Sequence, residues 1–307
     1  MPEGHSLHRL ARSIDRSFAG DAVESSSPQG RFASSADILD GRVLESAEAW
    51  GKHLFVRFEG DEVVHVHLGL YGTMVRSRPP ALEPRGAVRW RIVGPRWYAD
   101  LRGPTACELV GDDGRERILA RLGPDPLRRD SEPGRAWQRI ASSRAPMGTL
   151  LMDQSVIAGI GNIYRAELLF RHGVSPFLEG RELKQPVFDA MWTDLSALMR
   201  DGVKRGRIVT LDAADVDAMA ALDSDRPAAD DPELDGGEDT QQMRRRRRST
   251  GVYVYRREGR PCLRCGSLVA AADHQGRRLY WCPTCQRLPR RRRASSAGAG
   301  TRPATRA

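Results

Sequence analysis

A chain of 307 residues, 40% apolar and 29% charged, is long enough for two domains and a small third module, and its composition is that of a folded protein. The net charge of +9 and pI of about 9.8 favour a polyanionic partner, most simply nucleic acid, although a compositional preference for Arg over Lys contributes, since Lys52, Lys184 and Lys204 are the only lysines. No apolar run approaches the ~18 residues of a membrane span, the start is amphipathic rather than signal-like, and four of five cysteines form C-x2-C pairs, so the expectation is a protein of the bacterial or eukaryotic cytosol or of the nucleus, with no membrane partner and a metal rather than disulfides.

The chain opens MPEG. In HSLHRLARSIDRSF, Leu7, Leu10, Ala11, Ile14 and Phe18 recur at helical spacing. Removal of Met1 would expose Pro2 as a secondary amine with a pKa near the α-amino value of about 7.7–8. Such an amine can attack carbon and form an iminium, and the neighbouring Glu3 could carry protons for it. A Pro-Glu start that merely caps the first helix is the competing reading.

From about residue 20 to 123 the pattern is one of short strands. KHLFVRF sets Leu54, Val56 and Phe58 against Phe55 and Arg57, and VVHVHL sets Val64, Val66 and Leu68 against His65 and His67. VRWRIVG and RWYADLRG continue the alternation, so an antiparallel sandwich or barrel is expected. Lys52, in AWGKHLF, stands at the start of one such strand. In a chain that uses Arg so freely, a Lys offers what Arg cannot, a compact charge able to lose its proton. Chance placement is the alternative. Cys107 reads as a buried core thiol.

LGPDPL is a linker. GRAWQRIASS, MGTLLMDQSVIA, NIYRAELLFRHG and PVFDAMWTDLSALMRDGVKRG then read as four helices. Gly159-Ile-Gly161 lacks the third glycine and the preceding strand of a dinucleotide fingerprint. It reads instead as a tight turn with Asn162 as the N-cap of the next helix, and a helix N-terminus also binds phosphate. An acidic stretch without aromatics follows, ending in a run of arginines, and is expected to be a disordered linker.

Cys262, Cys265, Cys282 and Cys285 are spaced C-x2-C, sixteen residues, C-x2-C. Four thiolates close a tetrahedral site and leave no open position, so one structural zinc ion is expected, not a catalytic one. The residues between the pairs read as a β-hairpin with a DHQG turn and Arg277 and Arg278 just past its tip, placed either to grip phosphate or simply to face solvent. The Arg-rich tail is expected to be a disordered arm.

Taken in order, MPEG, GKHL, LYG, DQSVIAGIGNIYRAELLF and the cysteine hairpin resemble the formamidopyrimidine-DNA glycosylase / endonuclease VIII family, from residue 1 to about 286 apart from the acidic insertion. The formamidopyrimidine branch typically starts MPELPE; MPEGHS is closer to the endonuclease VIII branch, and most like its actinobacterial members.

The resemblance implies an α+β, multidomain fold: an N-terminal antiparallel β-sandwich with a leading helix over 1–124, a helix-two-turn-helix domain over 132–210, and a zinc-finger β-hairpin over 251–287. The acidic linker would occupy 211–250 and the basic tail 288–307. It implies a monomeric DNA glycosylase and abasic-site lyase that acts on damaged DNA with the nucleotide flipped out, with oxidised pyrimidines favoured. Pro2 would attack C1′, Glu3 would move protons, Lys52 would contact phosphate and assist β-elimination, and Arg277 would grip the lesion's phosphates and assist δ-elimination. Asn162 would hold a backbone phosphate, and Arg121 would contact DNA. Leu70 and Tyr71 match two of three wedge residues that fill the gap left by the flipped nucleotide. Gly69 stands where the branch has Gln, which turns the expectation toward single-stranded or bubble DNA. An oxidised-purine glycosylase of the same family and a non-catalytic damaged-DNA-binding protein are the rival readings.

Overall fold

The computed structural model describes residues 2–216, 218 and 251–288. Helix α1 (Gly4–Phe18) leads into strands β1 (Glu24–Ser26), β2 (Leu44–Trp50), β3 (His53–Phe58), β4 (Glu62–His67), β5 (Thr73–Ser77), β6 (Val88–Val93), β7 (Tyr98–Arg102) and β8 (Ala106–Leu109). They form two four-stranded antiparallel sheets, ordered β1-β6-β7-β5 and β2-β3-β4-β8. The alternation read from the sequence fills the space between them. Leu54, Val56, Phe58, Val64 and Val66 from one sheet meet Trp90, Ile92 and Leu101 from the other, and Leu7, Ile14 and Phe18 of α1 complete this core. The expected β-sandwich is therefore present.

Two short helices interrupt the stretch expected to hold only strands, α2 (Ala33–Leu39) and α3 (Gly111–Leu119). Among the residues of α3 only Gly114 is buried, and α2 turns only Ala36 and Leu39 inward. Neither carries the apolar stripe from which a helix is recognised.

The second core belongs to helices α4 (Pro133–Ala141), α5 (Met147–Leu150), α6 (Asn162–Arg171) and α7 (Gln185–Arg205). MGTLLMDQSVIA is not the long helix its apolar spacing indicates, since only its first turn is helical. Beyond it, polar side chains take the backbone groups a helix would use. Asp153 Oδ1 accepts from Ser155 N, while Gln154 donates to the carbonyls of Met152 and Ile160 and accepts from Gly159 N. Asn162 is the first residue of α6 rather than its cap; Gly161 holds the N-cap position.

A third, smaller core joins Ala166 and Phe170 of α6 to Tyr253, Val254, Val269 and two of the cysteines. It supports the hairpin of β9 (Ala270–His274) and β10 (Arg277–Trp281). Gln275 and Gly276 both have positive φ, as a two-residue hairpin turn demands. The joint rests on Glu167. Its carboxylate is wholly buried and accepts from the amides of Tyr253, Val254 and Tyr255 and from the Thr210 hydroxyl.

The expected linker over 211–250 begins too early. Arg171 binds the Thr210 carbonyl and Asp212, and the Tyr253 hydroxyl donates to Asp212 and Asp215, so the chain stays fastened at least to Asp215. The rest of that segment, apart from Val216 and Ala218, and the tail beyond Leu288 lie outside the described residues. Among the described residues no helix is long and apolar enough to cross a membrane.

Replacing Glu167 by Gln puts an amide N–H2 against backbone N–H donors. Thermal or denaturant unfolding of Glu167→Gln is expected to show a loss of about 2–4 kcal/mol; an unchanged midpoint would mean that the hairpin is anchored elsewhere.

Candidate active site

Four segments distant in sequence converge on the N-terminus of α6. Glu3 precedes α1 and is fully buried. Its Oε2 accepts from Gly161 N at 2.9 Å and Tyr164 N at 3.3 Å, and its Oε1 from Ile163 N at 2.7 Å. These are the amides that a helix start leaves without partners, and a carboxylate there also meets the favourable end of the helix dipole. Glu3 thus caps a helix of another domain. A side chain at residue 161 would collide with it, because a Cβ there would lie 2.4 Å from Glu3 Cδ. The glycines of the GIG turn make room for the N-terminus, and Gly4 N also donates to the Gly159 carbonyl at 2.8 Å. Pro2 is held half-buried at this junction.

Lys52 lies in the two-residue turn between β2 and β3, since Trp50 pairs with His53. The turn is fixed from beneath by Asp125. Its Oδ2 accepts from Gly51 N and from His8 Nε2, each at 2.7 Å, and its Oδ1 accepts from Leu127 N. Lys52 Nζ donates to the Ile160 carbonyl at 2.6 Å. Burial, reinforced by the charge of Arg277 and opposed by that of Glu3, pushes its pKa down to about 8. Burial pushes the Glu3 carboxyl above its ordinary value, against the pull of Lys52 and the three amides. A carboxyl so raised and a lysine so lowered are both closer to proton exchange near neutral pH than their free forms. The depressed pKa of Lys52 contributes stability that is complete above its unfolded value and is lost as pH falls through about 8.

Arg277 stands at the exposed first position of β10, opposite His274, close enough to act electrostatically on Lys52. Asn162 is buried. Its Nδ2 donates to the Arg278 carbonyl at 2.8 Å and its Oδ1 accepts from Arg165. The free amides expected at this helix start are already engaged by Glu3, and so is the Asn162 side chain by the hairpin.

Pro2, Glu3, Lys52, Asn162 and Arg277 are therefore gathered at one junction. Leu70 and Tyr71 project from the turn after β4 and are 51% and 87% exposed. Gly69 before them has φ +68°, and a Cβ there would lie 1.9 Å from Thr105 Oγ1. A Gln here would have to displace the Thr105 hydroxyl and hold a left-handed backbone. Arg121 is exposed just after α3 and acts on His53 and His65 rather than on Lys52 itself. The cluster of His53, His65 and His67 on the outer face of β3 and β4 was visible in the sequence only as strand alternation. Burial pushes His53 down to about 3 and His65 to about 4, so both are neutral at pH 7. The one sequence signal of Asp125 is a carboxylate set between two prolines.

The Sγ atoms of Cys262, Cys265, Cys282 and Cys285 lie within 4.8 Å of one another. The Cys262–Cys285 and Cys265–Cys282 separations are 3.9 and 3.5 Å. Tetrahedral bonds of about 2.3 Å to a common ion require sulfurs about 3.8 Å apart. The four thiols are thus placed to hold a metal ion, and among the described residues no His, Asp or Glu joins them. Cys107 stands apart in the sandwich core, its thiol pushed up to about 12 by burial.

Two family models match the chain, the formamidopyrimidine-DNA glycosylase N-terminal domain over residues 1–107 and the H2TH domain of the same glycosylase over residues 122–213. Endonuclease 8 1 of Mycobacterium tuberculosis is 50% identical over 290 residues, covering 93% of this chain and all of that protein. Probable endonuclease 8 2 of Streptomyces coelicolor is 31% identical over 97% of this chain and 98% of its own. Among solved structures, a Lactococcus lactis FPG mutant in complex with Fapy-dG-containing DNA superposes with a TM-score of 0.70 at 20% identity, over 94% of this chain and all of that one.

Purified protein is expected to carry one metal ion per chain by elemental analysis. Cys282→Ser should lose it and Cys107→Ser should keep it; metal retained after loss of Cys282 would overturn the four-thiolate assignment.

Proposed function

We propose that this chain, which belongs to the formamidopyrimidine-DNA glycosylase and endonuclease 8 family of base-excision-repair DNA glycosylases, removes oxidised bases from DNA, pyrimidines above all, and cuts the strand at the abasic site through an N-terminal proline Schiff base. The observation that carries this reading is the burial of Glu3 beside Pro2, its carboxylate pinned by three amides and faced by Lys52. A helix cap with no further role would not need a lysine desolvated against it.

With Met1 removed, the neutral Pro2 amine attacks C1′ of the flipped nucleotide. The glycosidic bond breaks and the damaged base leaves with a proton. Glu3 delivers a proton to the sugar ring oxygen as the ring opens, leaving a Pro2 iminium at C1′. Loss of a C2′ proton expels the 3′ phosphate, a second elimination expels the 5′ phosphate, and water releases the amine. Lys52 serves as phosphate contact and helper in the first elimination, Arg277 in the second. With a pKa of about 8, Lys52 is largely charged at pH 7 and loses its hold on phosphate as pH rises above 8.

Asn162 holds a backbone phosphate once its amide leaves the Arg278 carbonyl, and Arg121 adds a more distant contact. Leu70 and Tyr71 enter the space vacated by the flipped nucleotide, consistent with their exposure. The shape of the Gly69 turn supports a two-residue wedge with no polar group to pair with the orphaned base. Opening intact duplex is then harder, and single-stranded or bubble DNA becomes the more natural substrate. The thiolate set fits one zinc ion, which would hold Cys262, Cys265, Cys282 and Cys285 and so keep the hairpin in shape without touching the reacting sugar. The protein would act as a monomer in the cytoplasm, at the nucleoid.

Borohydride trapping on oligonucleotides carrying an oxidised pyrimidine, as duplex and as single strand, tests the reading. Wild type should yield a covalent adduct, more on the single strand, and Pro2→Gly should reduce it at least about tenfold. No adduct on either oligonucleotide or on an abasic site, with DNA binding intact, would favour a non-catalytic binder.

A further inference from the structure

Arg165, beside this junction, is a charged residue in neutral surroundings. It lies in the first turn of α6, three residues after Asn162, and is 1% exposed. Its Nη1 donates to the Gly148 carbonyl at 3.2 Å. Its Nη2 is shared between Asn162 Oδ1 and the Arg278 carbonyl, the latter at 3.3 Å. All three acceptors are neutral. Its Nε has no hydrogen-bond partner among the described residues, and no carboxylate among them lies within ion-pair distance. Burial, with Arg277 adding to it and the more distant charge of Glu3 opposing, pushes the guanidinium down to about 10. An apolar side chain would be the cheaper occupant of such a place.

The hydrogen bonds show what the guanidinium does there. The Arg278 carbonyl, on the first turn-side residues of β10, receives two donors: Asn162 Nδ2 at 2.8 Å and Arg165 Nη2. The same Nη2 fixes Asn162 by its oxygen. Asn162 therefore has one amide atom tied to a group that stays within α6 and the other tied to the hairpin. When a phosphate draws Nδ2 away, the Arg278 carbonyl would lose its side-chain donor if Asn162 were its only one. It is not, because Arg165 already reaches it.

We propose that Arg165 is a positioning residue for DNA binding. It holds Asn162 by its oxygen so that the amide nitrogen stays aimed at the seam between helix and hairpin, and it keeps the Arg278 carbonyl bonded when a phosphate takes that nitrogen. The guanidinium, which has no carboxylate in direct contact and feels Glu3 only at longer range, gains an anion in the same step. This inference rests on the reading of Asn162 as a phosphate contact.

A double-mutant cycle separates the two. Affinity for a duplex containing a tetrahydrofuran abasic analogue would be measured for wild type, Asn162→Ala, Arg165→Met and the double variant, with thermal unfolding of each. Each single variant is expected to bind about tenfold more weakly, and the double no more than about twofold more weakly than Asn162→Ala alone. Arg165→Met removes a buried charge but also takes a donor from the Gly148 carbonyl and from Asn162 Oδ1, so the unfolding curve serves to show that each variant is folded at the temperature of the binding assay. Losses that multiply to about a hundredfold, or wild-type affinity in Arg165→Met, would overturn the proposal. Wild-type affinity in Asn162→Ala would overturn the phosphate reading and this inference with it. Should Arg165→Met not fold, Arg165→Lys takes its place in the same cycle. Its single ammonium cannot span both oxygens as the planar fork does, so the same non-additive loss is expected.

Discussion

The carboxylate of Glu3 is the fixed point of the molecule. It is buried, and the three amides that hold it belong to a helix more than 150 residues away in sequence. A helix start needs acceptors for its amides, and a buried carboxylate needs donors. Each satisfies the other, so the N-terminus of the sandwich domain and the start of α6 cannot separate without stranding both. Pro2 is located by this bond as surely as Glu3 is, and Lys52 is brought to the same place by its hold on the Ile160 carbonyl.

α6 extends that order to the third module. Its first residue engages the Arg278 carbonyl, and five residues on, Glu167 takes three amides of the segment leading to the hairpin. One ten-residue helix therefore fixes the proline, the carboxylate and the arginine hairpin relative to one another. The charges at the junction are balanced rather than neutralised. Glu3 and Lys52 stabilise each other's ionised forms while burial opposes both, and Arg277 tips the lysine toward losing its proton. Short chains of packed and bonded groups of this kind set a reacting geometry more tightly than loops do.

Much of this was legible in the sequence, for identifiable reasons. The sandwich strands announced themselves because each buries one face against a partner sheet, as Leu54, Val56, Val64 and Val66 do. The cysteine site was fixed by spacing alone. Pro2, Glu3 and Lys52 could be singled out by chemistry, and the chain's likeness to a known family gave them company. What the sequence hid was whatever depends on contacts between distant segments. MGTLLMDQSVIA has helical apolar spacing, yet Asp153 and Gln154 divert its backbone. Asn162 looks like a cap, but Glu3 arrives from another domain to do that work. Arg165 has no local pattern to mark it and Asp125 only its place between two prolines, since the partners that give each its role, the Arg278 carbonyl for one and His8 and Gly51 N for the other, lie far along the chain. The start of the acidic segment looked solvated because the partners of Asp212 and Asp215 lie on α6 and near the hairpin.

Gly161→Ala tests whether base excision depends on the bond between Glu3 and the start of α6 without altering any reacting group. The added methyl falls where Glu3 Cδ lies 2.4 Å away, so it must move the carboxylate. Single-turnover excision of an oxidised pyrimidine should fall about a hundredfold in a protein that still folds and still binds its metal. Excision at the wild-type rate would show that the carboxylate does not need this seat, and that the junction is a brace for the fold rather than the frame of the active site.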